Sequence, residues 1–85
     1  MWYVHFLKNI NKNFIYTGST NDLKNRFREH NDGKCLSTKA YRPLELNAYI
    51  AVLTERKARK LEKYFKTGSG KAILKKRILT AEATK

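Results

Sequence analysis

Arg26 and His30 stand four residues apart, the spacing that brings two side chains onto neighbouring turns of one helix face. A guanidinium and an imidazole so placed could neutralise a phosphate and handle a proton, or could simply be the exposed face of a basic helix. Glu62 is the single acid between Arg56 and Arg77, a stretch that carries ten Lys and Arg. Two readings fit it. It could form an ordinary ion pair with Arg59 or Lys66, one helical turn away. It could also hold a hard cation, because Mg²⁺ at a phosphate commonly takes one or two protein carboxylates and completes its shell with water and substrate oxygen. Tyr16 has the pattern of a strand tyrosine whose hydroxyl sits at the rim of a core, and Gly18 most simply serves the turn that leaves that strand. Two further signals carry less. Thr67-Gly68-Ser69-Gly70-Lys71-Ala72 lacks the glycine spacing, the Ser/Thr after the lysine and the preceding strand of a phosphate-binding loop. Cys35 has no carboxylate or fixed histidine patterned around it and reads as an incidental thiol.

The chain that carries these residues has 85 residues, 19 Lys+Arg and 7 Asp+Glu, a formal charge of +12. That is one small basic domain with a thin core. So large a surplus of one sign attracts polyanions, and nucleic acid is the usual one in cytoplasm; a membrane-surface helix would need a wide Trp/Phe/Leu face that the basic segment lacks. One cysteine makes no internal disulfide, and with His5 and His30 it cannot complete a structural zinc site. The apolar run Trp2 to Leu7 is interrupted by His5 and too short for a signal-peptide core, and no stretch approaches the ~18–20 apolar residues of a membrane span. A cytoplasmic protein is expected.

The elements that must position the candidates follow from periodicity. Trp2 to Leu7 and Phe14 to Gly18 read as a β-hairpin across the polar turn Lys8 to Asn13. Period two places Tyr3, His5 and Leu7 on one face of the first strand and Phe14, Tyr16 and Gly18 on one face of the second. Thr20 or Asn21 is expected to cap a helix running to about Asn31, with Asp22 in its first turn, Leu23 and Phe27 inward, and Arg26 and His30 at its edge. Lys34 to Pro43 lacks apolar periodicity and reads as an exposed loop leading to a third strand, Leu44 to Leu53. Thr54 caps a second helix, Glu55 to Lys66, whose inward stripe is Ala58, Leu61 and Phe65 with Leu53 before it. Thr67 to Gly70 is expected to break that helix, a short one follows from Lys71 to about Leu79 with Leu74 and Ile78 inward, and residues 80–85 are expected to fray. The fold class is α/β (α+β): a sheet of three mainly antiparallel strands flanked by helices, in the order β-β-α-β-α-α over residues 1–79.

Trp2-Tyr3-Val4-His5, Tyr16-Thr17-Gly18-Ser19-Thr20-Asn21-Asp22-Leu23, Arg26, Glu29-His30-Asn31 and Ala58 through Glu62-Lys63-Tyr64 together resemble the GIY-YIG nuclease superfamily, in particular its small single-domain bacterial members. The resemblance runs from Trp2 to about Arg77. It implies the three-stranded fold and divalent-metal-dependent hydrolysis of DNA phosphodiesters, with one Mg²⁺ or Mn²⁺. Carried over by position, the second-motif tyrosine falls on Tyr16 with Gly18 as its glycine, the helix arginine on Arg26, a histidine found one turn later in many members on His30, and the metal-binding glutamate on Glu62. The first-motif tyrosine falls on His5.

The mechanism this implies has Glu62 holding the cation, Arg26 and His30 neutralising charge on a phosphorane-like transition state, and Tyr16 or His5 orienting or deprotonating the attacking water. An ordinary imidazole, with a pKa of about 6.5 against about 10 for a phenol, is the better base near neutrality. Lys39, Tyr41 and Arg42 in the loop, with Lys63, Lys66 and Lys71 on the later helices, are expected to contact phosphates, so little sequence specificity is expected. Tyr41 and Arg42 could also clamp an unpaired base, which would favour branched or single-stranded DNA over duplex. A domain this small leaves room for a partner protein that supplies targeting. The alternatives are a non-catalytic nucleic-acid-binding module in which His5 has disabled hydrolysis, and an RNA-binding accessory of a ribosome-like assembly.

Overall fold

Residues Trp2 to Asn9 are rich in aromatic and β-branched types and become the middle strand of the sheet. The computed structural model describes residues 1–9, 11 and 14–78. Among these, β1 (Trp2–Asn9) lies between β2 (Ile15–Thr20) and β3 (Leu44–Val52), antiparallel to both. Tyr3 opposes Thr20, His5 opposes Gly18 and Leu7 opposes Tyr16, so the two period-two sets anticipated from the hairpin share one sheet face. Val4 and Phe6 point to the other face.

That second face holds the main core. Thr54 caps α3 (Glu55–Phe65) by accepting from the Lys57 amide at 3.2 Å. The helix lays Ala58, Leu61 and Phe65 over Val4, Phe6, Ala48 and Ile50, with Leu74 closing the end. Phe6 and Phe65 meet edge to face at 5.3 Å, each such buried side chain contributing ~1.5–3 kcal/mol. Leu53, expected to join this stripe, is instead 75% exposed. The strand ends at Val52, and the turn into α3 carries the leucine outward.

The other face is covered by α1 (Leu23–Asn31) and a one-turn helix α2 (Leu36–Lys39). The cap of α1 is Asp22, expected in the first turn and lying two residues beyond Thr20 and one beyond Asn21, the expected caps; its carboxylate accepts from the Asn25 amide at 3.2 Å, and the Thr20 hydroxyl accepts from the Asp22 amide at 3.0 Å. A carboxylate at the N-cap satisfies an orphan amide and favours the dipole at once. Asn31 fixes the far end. Its side-chain amide donates to the Leu44 carbonyl at 2.9 Å and accepts from the Leu44 amide at 2.8 Å, tying α1 to the start of β3. The segment expected to be an exposed loop therefore contains α2, with Thr38 fully buried in it.

A second correction falls after α3. The break expected after α3 is present, since α3 ends at Phe65, but it is confined to Lys66 and Thr67: Gly68-Ser69-Gly70 already forms the first turn of the next helix, α4 (Gly68–Ile73), expected only from Lys71, and α4 widens into a π-helical turn over Leu74–Ile78. Thr67 caps α4 by accepting from the Gly70 amide at 3.0 Å. A Cβ at Gly70 would lie 1.9 Å from the Tyr64 carbonyl oxygen, so the glycine is there to let α4 fold back against α3. The side chain of Ile78, residue 79 and the tail expected to fray lie outside the described residues.

Candidate active site

Gly18 has no side chain, and that absence lets two rings meet over β2. A Cβ there would lie 2.9 Å from His5 Nε2 and 2.9 Å from Tyr16 Cε2. His5, Tyr16 and His30 pack as a cluster, with centroid separations of 6.1 Å for His5–Tyr16, 5.8 Å for His5–His30 and 4.8 Å for Tyr16–His30. A cleft of about 400 Å³ opens beside them, crossing β2 at Gly18 and lined among others by His5, Tyr16, Ser19, Arg26, Arg59 and Glu62. Strand β1 supplies His5, β2 supplies Tyr16 and Ser19, α1 supplies Arg26, and α3 reaches in from the opposite face with Glu62 and Arg59.

Arg26 and His30 do share a helix face, but His30 is fully buried, not at an exposed edge. The spacing was legible; the direction was not. A polar helix stripe reads as surface unless the sheet beneath it is also polar, and here that sheet presents His5 and Tyr16. The His30 Nδ1 lies 2.7 Å from the Thr38 hydroxyl, while its Nε2 and both ring nitrogens of His5 have no hydrogen-bond partner among the described residues. Buried groups of this kind point to an ordered water or a bound molecule that completes them.

The electrostatics divide the cluster. Burial lowers the His5 pKa to about 4, helped by His30 and Arg26 and opposed by Glu62. The ordinary imidazole basicity expected from the sequence is therefore absent, and His5 is neutral at physiological pH. His30 is lowered as well, by burial first and then Arg26, with Glu29 opposing. For Glu62 burial opposes ionisation, but hydrogen bonds from Ser19 and Lys66, with the charges of Lys66 and Arg59, outweigh it and hold the carboxyl below its usual value. Ser19 Oγ donates to Glu62 Oε1 at 2.6 Å, and Lys66 Nζ pairs with Oε2 at 2.9 Å. The ion pair considered from spacing forms with Lys66. Arg59 instead pairs with Glu55 at 2.8 Å and lies over the Trp2 ring. Arg26 pairs with Glu29 at 3.1 Å.

An ionised carboxylate offers about four lone-pair sites, and two on Glu62 are engaged. The remainder suit a hard cation. Among the described residues Glu62 is the only acid lining the cleft, and no group of three His, Cys, Asp or Glu converges. The donor set thus fits a cation such as Mg²⁺ or Mn²⁺ held by one carboxylate with water and phosphate oxygen, and not one enclosed by protein ligands.

The remaining candidates lie around this cleft. Lys66 and Lys71 line a neighbouring groove of about 470 Å³ that shares Tyr16 with it. Lys63 and Lys39 are exposed on α3 and α2. Arg42 bends back so that its Nε donates to the Lys39 carbonyl at 2.9 Å, and Tyr41 stacks on Phe14 with ring centroids 3.8 Å apart. Two residues of the site, Ser19 and Thr38, were given no role from the sequence, and Arg59 was considered only as an ion-pair partner of Glu62. Ser19 points to the face opposite Tyr16, and only the packing of α3 against β2 brings Glu62 to it.

The sequence pattern of the GIY-YIG catalytic domain matches residues 1–77. The UPF0213 protein YazA of Bacillus subtilis is 47% identical over 55 residues, which make up 64% of this chain and 56% of that one. A UPF0213 protein of Bacillus pumilus is 43% identical over 58 residues, 67% of this chain and 59% of its own, and one of Vibrio campbellii is 36% identical over 66 residues, 76% and 62% respectively. The matched stretch is thus less than two thirds of each relative's length. No solved structure matches the chain significantly. The cluster around Gly18, the arginine on α1 and the glutamate on α3 all fall within the matched residues, and the chain belongs to the GIY-YIG catalytic domain family.

Proposed function

We propose that this protein is a divalent-metal-dependent endonuclease that hydrolyses DNA phosphodiester bonds with little sequence specificity. The observation that carries the reading is the convergence of His5, Tyr16, Arg26 and Glu62, from four separate elements, on one cleft of about 400 Å³. Glu62 would hold one Mg²⁺ or Mn²⁺, which when bound supplies Lewis-acid polarisation of the phosphate and charge stabilisation at the leaving oxygen. Arg26 binds the scissile phosphate and neutralises the charge that develops on it, and Arg59 adds a second positive group at the cleft wall. Tyr16 orients the attacking water in line. His5 is neutral, so one of its ring nitrogens can accept a hydrogen bond and the other can donate one, and a water held between His5 and Tyr16 would satisfy a buried group and serve the reaction.

Substrate contact falls on Lys63, Lys66 and Lys71 beside the cleft and on Lys39, Tyr41 and Arg42 across the α2 segment, through phosphates and not base edges. Among the described residues no helix is long and apolar enough to cross a membrane, which is compatible with action on DNA in the cytoplasm. The low basicity of His5 favours one second reading, a binding module on the same fold that no longer cuts. Incubating the protein with labelled single-stranded, duplex, flap and junction DNA and with RNA, in Mg²⁺ or Mn²⁺, separates the two. Metal-dependent nicking of DNA supports the nuclease; salt-sensitive binding without cleavage of any substrate supports the module.

A further inference from the structure

His30 and Thr38 are both fully buried, and neither was brought together by sequence spacing. His30 Nδ1 and Thr38 Oγ1 are 2.7 Å apart, and the Thr38 hydroxyl also lies 3.5 Å from the Cys35 carbonyl oxygen. Two proton arrangements are open to this pair. In one, the hydroxyl donates to an unprotonated Nδ1; Nε2 then carries the ring proton, buried, with no acceptor among the described residues. In the other, Nδ1–H donates to the hydroxyl oxygen and the hydroxyl donates onward to Cys35, so that both donors are used and only a lone pair at Nε2 is left over. A buried orphan N–H is rarer and more costly than an under-used acceptor. The second arrangement wins.

We propose that Thr38 is a positioning residue: it holds His30 as the Nδ1–H tautomer and so leaves the Nε2 lone pair as a hydrogen-bond and proton acceptor within the His5–Tyr16–His30 cluster. The inference rests on the nuclease reading for its catalytic consequence, but not for the tautomer. The ring stands 4.8 Å from Tyr16 and 5.8 Å from His5, centroid to centroid. An acceptor there receives the hydrogen bond of the Tyr16 hydroxyl through one water, and so turns the tyrosine oxygen's lone pairs toward the attacking water. The charged groups around His30 are Arg26 and Glu29 on its own helix, which act in opposite directions; His5 faces it from β1 and Tyr16 from β2. A one-turn helix in a stretch without apolar periodicity thereby acquires a role, because α2 is what delivers Thr38 to the ring.

The chain has two histidines, so a long-range ¹H–¹⁵N spectrum of the imidazole rings resolves the question on the intact protein without metal or substrate. At neutral pH the wild type is expected to show His30 Nδ1 as a protonated nitrogen and Nε2 as an unprotonated one. Thr38→Val, which keeps the shape and removes the hydroxyl, is expected to lose that signature, and Thr38→Ser to retain it. Cleavage gives the catalytic arm: kcat falls about tenfold to a hundredfold in Thr38→Val with KM unchanged, and Thr38→Ser restores it. A wild-type spectrum with the proton on Nε2, or a Thr38→Val spectrum indistinguishable from wild type, overturns the proposal even if the variant's stability has changed. A wild type that cuts nothing sinks the nuclease reading alone, because the spectrum still decides the tautomer.

Discussion

Gly18→Ala is the substitution for which the structure gives the sharpest expectation. The added methyl would stand 2.9 Å from His5 Nε2 and 2.9 Å from Tyr16 Cε2, about 0.5 Å inside ordinary contact. Neither neighbour is the loose end of a flexible chain. His5 is 1% exposed and wedged between Tyr16 and His30, so relief requires both rings, or β2 itself, to move. Overpacking of this kind costs about 1–3 kcal/mol, and in a domain of this size each kcal/mol lowers Tm by about 4–8 °C. The expected outcome is a destabilised but folded variant whose cleavage rate, measured well below its own Tm, drops more than tenfold because the cleft's two rings are displaced. Coupling sharpens the test: in a His5→Ala background the same substitution relieves one of its two clashes, and the double-mutant cycle is expected to give about 0.5–3 kcal/mol of interaction. Should Gly18→Ala unfold within about 0.5 kcal/mol of wild type and cut at the wild-type rate, the geometry given for the cluster is wrong.

Ser19→Ala removes the 2.6 Å hydrogen bond to Glu62. A loss of about 1 kcal/mol in stability is expected, with a rise in the carboxyl's pKa and a severalfold higher Mn²⁺ concentration for half-maximal cleavage; an unchanged metal titration contradicts the role given to Ser19. The pH dependence of stability carries a separate signature. His5 has a folded pKa of about 4 against 6.5 unfolded, so the unfolded chain binds more protons between these values; stability is full above pH 6.5 and falls by up to about 3 kcal/mol as the pH drops toward 4. Denaturant midpoints for His5→Phe are expected to fall less steeply over that window than those of wild type, and parallel curves would show that His5 is not buried neutral. The same shift removes any reason for His5 to produce a limb near pH 6.5 in the rate profile.

Much of this arrangement was legible beforehand, for reasons that can be traced. Period two in Tyr3-Val4-His5-Phe6-Leu7 sorted the strand residues into two sets, but only the observed register, with His5 opposite Gly18 and Leu7 opposite Tyr16, decides that the His5 set shares the face of Tyr16, because a one-residue slip would have put it on the other. The Ala58, Leu61 and Phe65 stripe placed α3, and with it Glu62, on the strength of helical periodicity alone. His30 was misplaced because burial of a polar side chain depends on what the sheet offers beneath it, which no single helix records. Thr38 left no trace in its neighbourhood, because α2 is held by a contact with a residue eight positions away and not by a stripe of its own. Composition marked the break after α3 but not that Gly68-Ser69-Gly70 opens the next helix: a tight α3–α4 approach needs a residue without Cβ at Gly70, and a capping threonine compensates for the low propensity.

In the proposed reading the cleft is a metal-dependent phosphodiesterase site with Glu62 as its single carboxylate ligand. Its most direct test is cleavage of labelled DNA by wild type and Glu62→Gln in Mn²⁺ and Mg²⁺, with binding of the same DNA measured in EDTA. Wild type is expected to cleave in metal and to lose cleavage in EDTA, and Glu62→Gln is expected not to cleave but to bind as tightly or more tightly, since a negative charge has been removed from a basic surface. Cleavage by Glu62→Gln at the wild-type rate, or by wild type in EDTA, would contradict that reading.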